Sequence, residues 1–123
     1  MAKIERFEDL NCWKAARELV NKVYEVCKKS PLKNDFETKG QLKKAVLSSM
    51  NNIAEGFSRY HKKDSVRFYD YAQSSAAEVK SMSYVLKDNK YLPDDDIEDI
   101  QSLSEKTRSL TLGFIRYIEN RGL

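Results

Sequence analysis

Apolar residues recur at helical spacing along nearly the whole chain, and three sets of helix-breaking residues divide that pattern into four stretches. The first is expected over residues 9–29 and stops at Ser30-Pro31, because a residue before proline is pushed away from helical angles. The second is expected over 35–60, with Asn34 or Asp35 as N-cap. After the connection Tyr60-His61-Lys62-Lys63, Asp64 is expected to cap a third helix over 64–89. Pro93 and Asp94-Asp95-Asp96 open a fourth over 94–120, before Gly122, where carboxylates favour the positive end of the helix dipole. Short connections between helices of this length predict an all-α fold, an antiparallel up-down-up-down four-helix bundle, as a single domain over 1–123.

Placing the residues around each helix predicts what is buried. In the first, Trp13, Ala16, Val20, Tyr24 and Cys27 form one stripe, with Cys12, Leu19, Val23 and Val26 beside it. With Ala15 they fill about half the circumference, more than the ~3/7 face a bundle helix needs. The excess predicts a second contact surface at Leu19, Val23 and Val26, for which the charged residues, Lys22 among them, leave room by falling on the other half. The other helices show core faces at Val46, Leu47, Met50, Ile53, Ala54 and Phe57; at Phe68, Ala72, Ser75, Val79, Met82 and Leu86; and at Ile100, Leu103, Leu110, Phe114, Tyr117 and Ile118, widened by Ile97 and Ile115.

The stretch SSMNNIAEGFSRYHKK at 48–63 breaks the apolar pattern. Glu55 points away from the apolar stripe. Beside it runs a strip of small residues that includes Ala45, Ser48, Asn52 and Gly56. Small side chains let another backbone approach, and Asn or Ser can satisfy polar groups across the contact. Gly inside a helix costs about 1 kcal/mol relative to Ala, so close packing, including packing in an oligomer, is the expected role. A carboxylate site at Glu55 and Glu78 is the competing reading, but the chain has no Glu-x-x-His pair and a single His. It also lacks GxxxxGK[ST], GxGxxG and GxSxG patterns. No catalytic residue, no metal site and no cofactor are expected, and the protein is not expected to be an enzyme.

Composition adds an asymmetry. Residues 1–63 carry 14 Lys/Arg against 8 Asp/Glu, whereas residues 64–123 carry 8 against 11. Such a distribution is compatible with a polyanionic partner. No apolar run approaches the roughly 18–20 residues of a membrane span, and MAKIERFEDL lacks a signal-peptide core, so a cytoplasmic location is expected. Cys12 and Cys27, fifteen residues apart on one helix, are expected to be reduced core residues.

FEDLNCWKAARELVNKVYEVCKK and SSMNNIAEGFSR resemble the four-helix-bundle proteins encoded in intervening sequences of bacterial 23S rRNA genes, whose distinctive segment reads close to S-I-P-S-N-I-A-E-G. The third helix is similar to that family's F-x-x-x-A-x-x-S-x-x-E pattern at Phe68, Ala72, Ser75 and Glu78. Met50-Asn51 stands where the family often has Pro-Ser, which bears on a helix irregularity there and not on the fold. The resemblance covers nearly the whole chain. It implies a homopentamer of bundles and kinship with accessory proteins of diversity-generating retroelements, which bind reverse transcriptase and RNA.

In such a bundle one end collects Lys3, Arg6, Arg59, His61, Lys62, Lys63, Arg67, Arg116 and Arg121. The other joins Lys28, Lys29, Lys33, Lys39, Lys43 and Lys44 to the acidic start of the fourth helix. Solvated helix ends are the plain explanation; repetition around an oligomer axis would turn a modest patch into a ring able to meet many phosphates. Arg59, Tyr60, His61, Lys62 and Lys63 are therefore the candidate RNA-binding residues, because Tyr60 offers an aromatic face beside cations. The function expected is RNA or ribonucleoprotein binding, as an accessory to a reverse transcriptase or to rRNA. The alternative is a protein-interaction scaffold without nucleic-acid contact.

Overall fold

A computed structural model describes residues 3–121. It contains four helices: α1 (Asn11–Val26), α2 (Phe36–Phe57), α3 (Lys62–Asp88) and α4 (Asp94–Asn120). One-turn 3-10 segments, Phe7–Asp9 and Leu32–Asn34, precede α1 and α2. No strand occurs among the described residues. Each helix packs along two others, giving a closed square in the order α1, α2, α3, α4. Contacts across the seams run in opposite sequence order. Late α2 meets early α3, where Gly56 touches Tyr69. Along α3 and α4, Ser83 pairs with Gln101, and Gln73, earlier in α3, with Arg108, later in α4.

The boundaries follow local chemistry. Asp35 caps α2: one carboxylate oxygen accepts the Thr38 N–H at 3.0 Å, and the other accepts the Thr38 and Tyr91 hydroxyls at 2.8 and 2.7 Å. That carboxylate also ties the start of α2 to the α3–α4 turn. α2 runs unbroken through Met50-Asn51. α1 ends at Val26, ahead of Ser30-Pro31. α3 starts at Lys62, not at Asp64: His61 is its N-cap, and Asp64 lies inside the first turn. It ends in a Schellman arrangement, with Tyr91 N–H on the Leu86 carbonyl and Lys90 N–H on the Lys87 carbonyl. Lys90 there has φ 55°. α4 ends at Asn120; Gly122 lies outside the described residues.

The core corrects several expectations. Leu19, Val23 and Val26 are fully buried within the single chain, so they offer no surface to a second copy. They are buried because α1 packs against both α2 and α4, and Leu32 of the following turn, itself fully buried, joins the same cluster. Tyr24 and Tyr117, expected in the core, are exposed. On α4 the expected Ile97, Ile100 and Ile115 are buried, but between Ile100 and Ile115 the buried stripe is Ser104, Thr107 and Thr111, while Leu103, Leu110 and Phe114 are only partly covered. Each buried hydroxyl donates to the carbonyl four residues earlier, at 2.7–2.8 Å, so no polar group is left unpaired. Cys12 and Cys27 are buried free thiols, and burial pushes Cys12 up to about 11.

Lys22, expected on the solvated side of α1, is largely covered. Its ammonium reaches Asp96 at 2.9 Å, and Lys29 reaches the other Asp96 oxygen at 2.7 Å. Asp96 is itself buried in the first turn of α4. Burial alone would raise its carboxyl, but the bonds from Lys29 and Lys22 outweigh that and hold it below the usual value.

Candidate nucleic-acid interface

The corner between α2 and α3 is built by the close approach of the two helices. Gly56 lets the Tyr69 ring lie against the α2 backbone. One turn back, Asn52 donates to the Ser48 carbonyl and hydroxyl, both at 2.9 Å, and the Ser48 hydroxyl meets Ser75 at 2.8 Å. Ala45 is buried on the same seam. The small-residue strip therefore does pack closely, and its partner is α3 of the same chain. A groove remains outside it, lined by Phe36, Gly40, Lys44, Ser48 and Glu78.

Beyond Gly56 the chain turns within four residues. Ser58 N–H bonds back to the Ala54 and Glu55 carbonyls, and Arg59 N–H to Gly56. His61 is extended, and α3 begins. The five candidate residues are all exposed, but they do different things. Arg59 turns back, 4.3 Å from the Phe68 ring and 3.4 Å from Glu55, clamping α2 to α3. Arg67 approaches the same ring at 5.8 Å and pairs with Asp64 at 3.5 Å. Tyr60 is 90% exposed, its ring edge-on to His61 at 5.0 Å. Lys62 and Lys63 make no ion pair among the described residues.

Those two lysines occupy the first turn of α3. No side chain caps that end, and the N–H groups of Lys62, Lys63 and Asp64 have no partner among the described residues. Cations belong at the other end of a helix, because the N-terminus already carries partial positive charge. Asp64 could offset them, but Arg67 holds it. The result is a concentration of donors and positive charge suited to an anion. Elsewhere at this end, Arg6 is paired with Glu8 and Asp9, and Arg121 lies over Tyr117 at 5.2 Å. Phe68, expected in the core by its spacing, is instead half-buried, with Arg59 and Arg67 near its ring and Tyr71 edge-on to it at 5.9 Å.

Among the described residues, no cluster of His, Cys, Asp and Glu could hold a metal, and no helix is long and apolar enough to cross a membrane.

The family model described as 23S rRNA-intervening sequence protein matches residues 8–113. The chain belongs to that family. The match spans the corner and the seam behind it. The NIAEG segment and the Phe68, Ala72 and Ser75 positions of the third-helix pattern turn out to be residues that knit α2 to α3. Asn52 and Ser75 both bond Ser48, Ile53 and Ala72 are core, and Glu55 and Phe68 hold Arg59. Glu55 and Glu78 stay exposed, and Glu78 makes no ion pair among the described residues. The chain is also similar to a crystal structure described as a protein with unknown function from the S23 ribosomal protein family of Bacteroides thetaiotaomicron VPI-5482. The TM-score is 0.77 at 18% identity, over 85% of this chain and 97% of that one, which shows a shared fold. No curated protein matches the chain.

Proposed function

We propose that this protein binds RNA, free or in a ribonucleoprotein, at the α2–α3 corner and does so without catalysis. The observation that carries the reading is the pair Lys62 and Lys63, without an ion-pair partner among the described residues, on a helix start with no side-chain cap beside the exposed Tyr60. Phosphates would meet the lysines and the free N–H groups, and an unstacked base would meet Tyr60. We take the opposite-order seams as an antiparallel up-down-up-down bundle, which places both Gly56 and Tyr69 at the corner end. The resemblance to proteins that accompany reverse transcriptases supports an accessory role beside such an enzyme or beside rRNA, in the cytoplasm.

We further propose a homo-oligomer, five-membered as the resemblance implies. With Leu19, Val23 and Val26 in the core, the surface it would use is the outer side of α2 and α3. Phe36 is 78% exposed there, and Tyr71 and Val85 are exposed as well. The same exposed apolar residues favour the second reading, a protein-interaction scaffold without RNA. Binding of structured RNA by the wild type and by a Lys62→Glu, Lys63→Glu variant separates the two. Equal, weak binding by both proteins would leave the scaffold.

A further inference from the structure

The side of the bundle where α1 meets α2 carries a second kind of basic surface. Arg17 and Lys28 on α1 and Lys39 and Lys43 on α2 form no ion pair among the described residues. Three of these cations lie over aromatic rings instead. Arg17 covers Trp13 at 5.7 Å, Lys39 covers Phe36 at 4.6 Å, and Lys43 crosses the seam to Tyr24 at 4.8 Å. Lys28 lies one turn beyond Tyr24 on the same stripe of α1.

The carboxylates of the two helices are turned away. Glu25 pairs with Lys22 on the α4 side at 3.8 Å, and Glu18 lies one turn before Lys22 on that stripe. Glu55 pairs with Arg59, and Glu37 lines the α2–α3 groove. Ahead of α1, Glu8 and Asp9 are engaged by Arg6. Asp35 accepts from Thr38 and from Tyr91 of the α3–α4 turn. Four cations thus share a face with the rings of Trp13 and Tyr24, and no carboxylate of α1 or α2 is paired with them among the described residues.

We propose that the α1–α2 face is a second nucleic-acid site, a track for an unpaired single strand. A strand backbone supplies the negative charge the face lacks. Only unpaired bases can stack on side chains such as Trp13 and Tyr24, whereas a duplex would present phosphates alone. Trp13 and Tyr24 are separated by eleven residues of α1, or about 16 Å, a reach of several nucleotides. The track shares its ligand class with the corner and none of its residues.

Trp13 is the sole tryptophan, so its emission reports on this face alone. An oligouridylate of about 12 nucleotides is titrated into the intact protein and into the Lys62→Glu, Lys63→Glu variant. Quenching of Trp13 in both is the expected result; quenching lost in the variant would overturn an independent site. Lys39→Gln with Lys43→Gln should shrink the slope of log affinity against log salt by about 1.4, the loss of two phosphate contacts to a single strand. Tyr24→Ala should weaken binding by about 5- to 140-fold. Tyr24 is exposed and both lysines are half-exposed, so helicity by circular dichroism should be retained in each variant. An unchanged slope, or binding without quenching, would overturn the proposal. So would a change in Trp13 emission driven by protein concentration alone, which would mean that a second copy covers the face.

Discussion

The ring of Tyr69 lies where a β-carbon of residue 56 would be. A β-carbon built on Gly56 meets Cε1 and Cδ1 of that ring at 2.6 and 2.8 Å, and the Ser65 carbonyl oxygen at 3.0 Å. Tyr69 is 2% exposed and cannot swing aside, since it also packs edge-on against Phe114 at 5.1 Å. This contact sets the distance between α2 and α3 at the corner, and with it the position of Lys62 and Lys63.

Gly56→Ala should therefore destabilise the fold by about 1–3 kcal/mol through overpacking. In an unobstructed helix the same change would stabilise by about 1 kcal/mol. Gly40, whose added β-carbon meets nothing within 4 Å, supplies that control, and Gly40→Ala should gain stability. In a Tyr69→Leu background the penalty at Gly56 should largely vanish, a coupling of roughly 0.5–3 kcal/mol in a urea-denaturation cycle. Additive effects would mean that the ring is not the obstacle.

Asp96 makes a pH prediction. Its carboxyl is held low in the folded state, so its contribution is present above the unfolded-state value of about 3.9 and fades as pH falls through the lower folded value. Wild type should lose stability below about pH 4, and Asp96→Asn should show a shallower acid dependence. At neutral pH the same variant leaves Lys22, whose side chain is 13% exposed, short of its nearest partner. A cost of roughly 3 kcal/mol is expected for a pair this well covered, measured by chemical denaturation at each pH.

Lys90 adopts the left-handed conformation, φ 55°, at the position after the α3 C-cap where glycine is favoured. Lys90→Gly relieves a conformational cost of about 1–2 kcal/mol and adds back part of it as unfolded-chain entropy. A net gain of about 0.5–1 kcal/mol in thermal or urea unfolding is expected.

Much of this was legible in the sequence. The four helices were, because breakers such as Ser30-Pro31 and Pro93 stand between long stretches of periodicity; the cap of α2 was narrowed to Asn34 or Asp35, and it is Asp35. The face that α4 buries was legible at Ile97, Ile100 and Ile115 but not between them. Hydropathy favours Leu110 and Phe114, yet Thr107 and Thr111 fill the centre by turning their hydroxyls onto their own helix, which hides their polarity. The excess apolar width of α1 was visible, but width alone does not say whether a neighbour lies in the same chain or another. For the candidate site, the charges at Lys62 and Lys63 could be read directly. That Arg59 is occupied by Phe68 and Glu55 depends on how α3 is placed, which no local pattern encodes.

The central claim is most directly tested by the salt dependence of RNA binding. Affinity for a structured RNA is measured across a salt series for the wild type and for Lys62→Glu, Lys63→Glu, with circular dichroism confirming equal helicity. If phosphates dock at the α2–α3 corner, the variant should bind much more weakly, and its slope of log affinity against log salt should be shallower by about 1.4–1.8 for the two lost contacts. Identical slopes and affinities for the two proteins would contradict it.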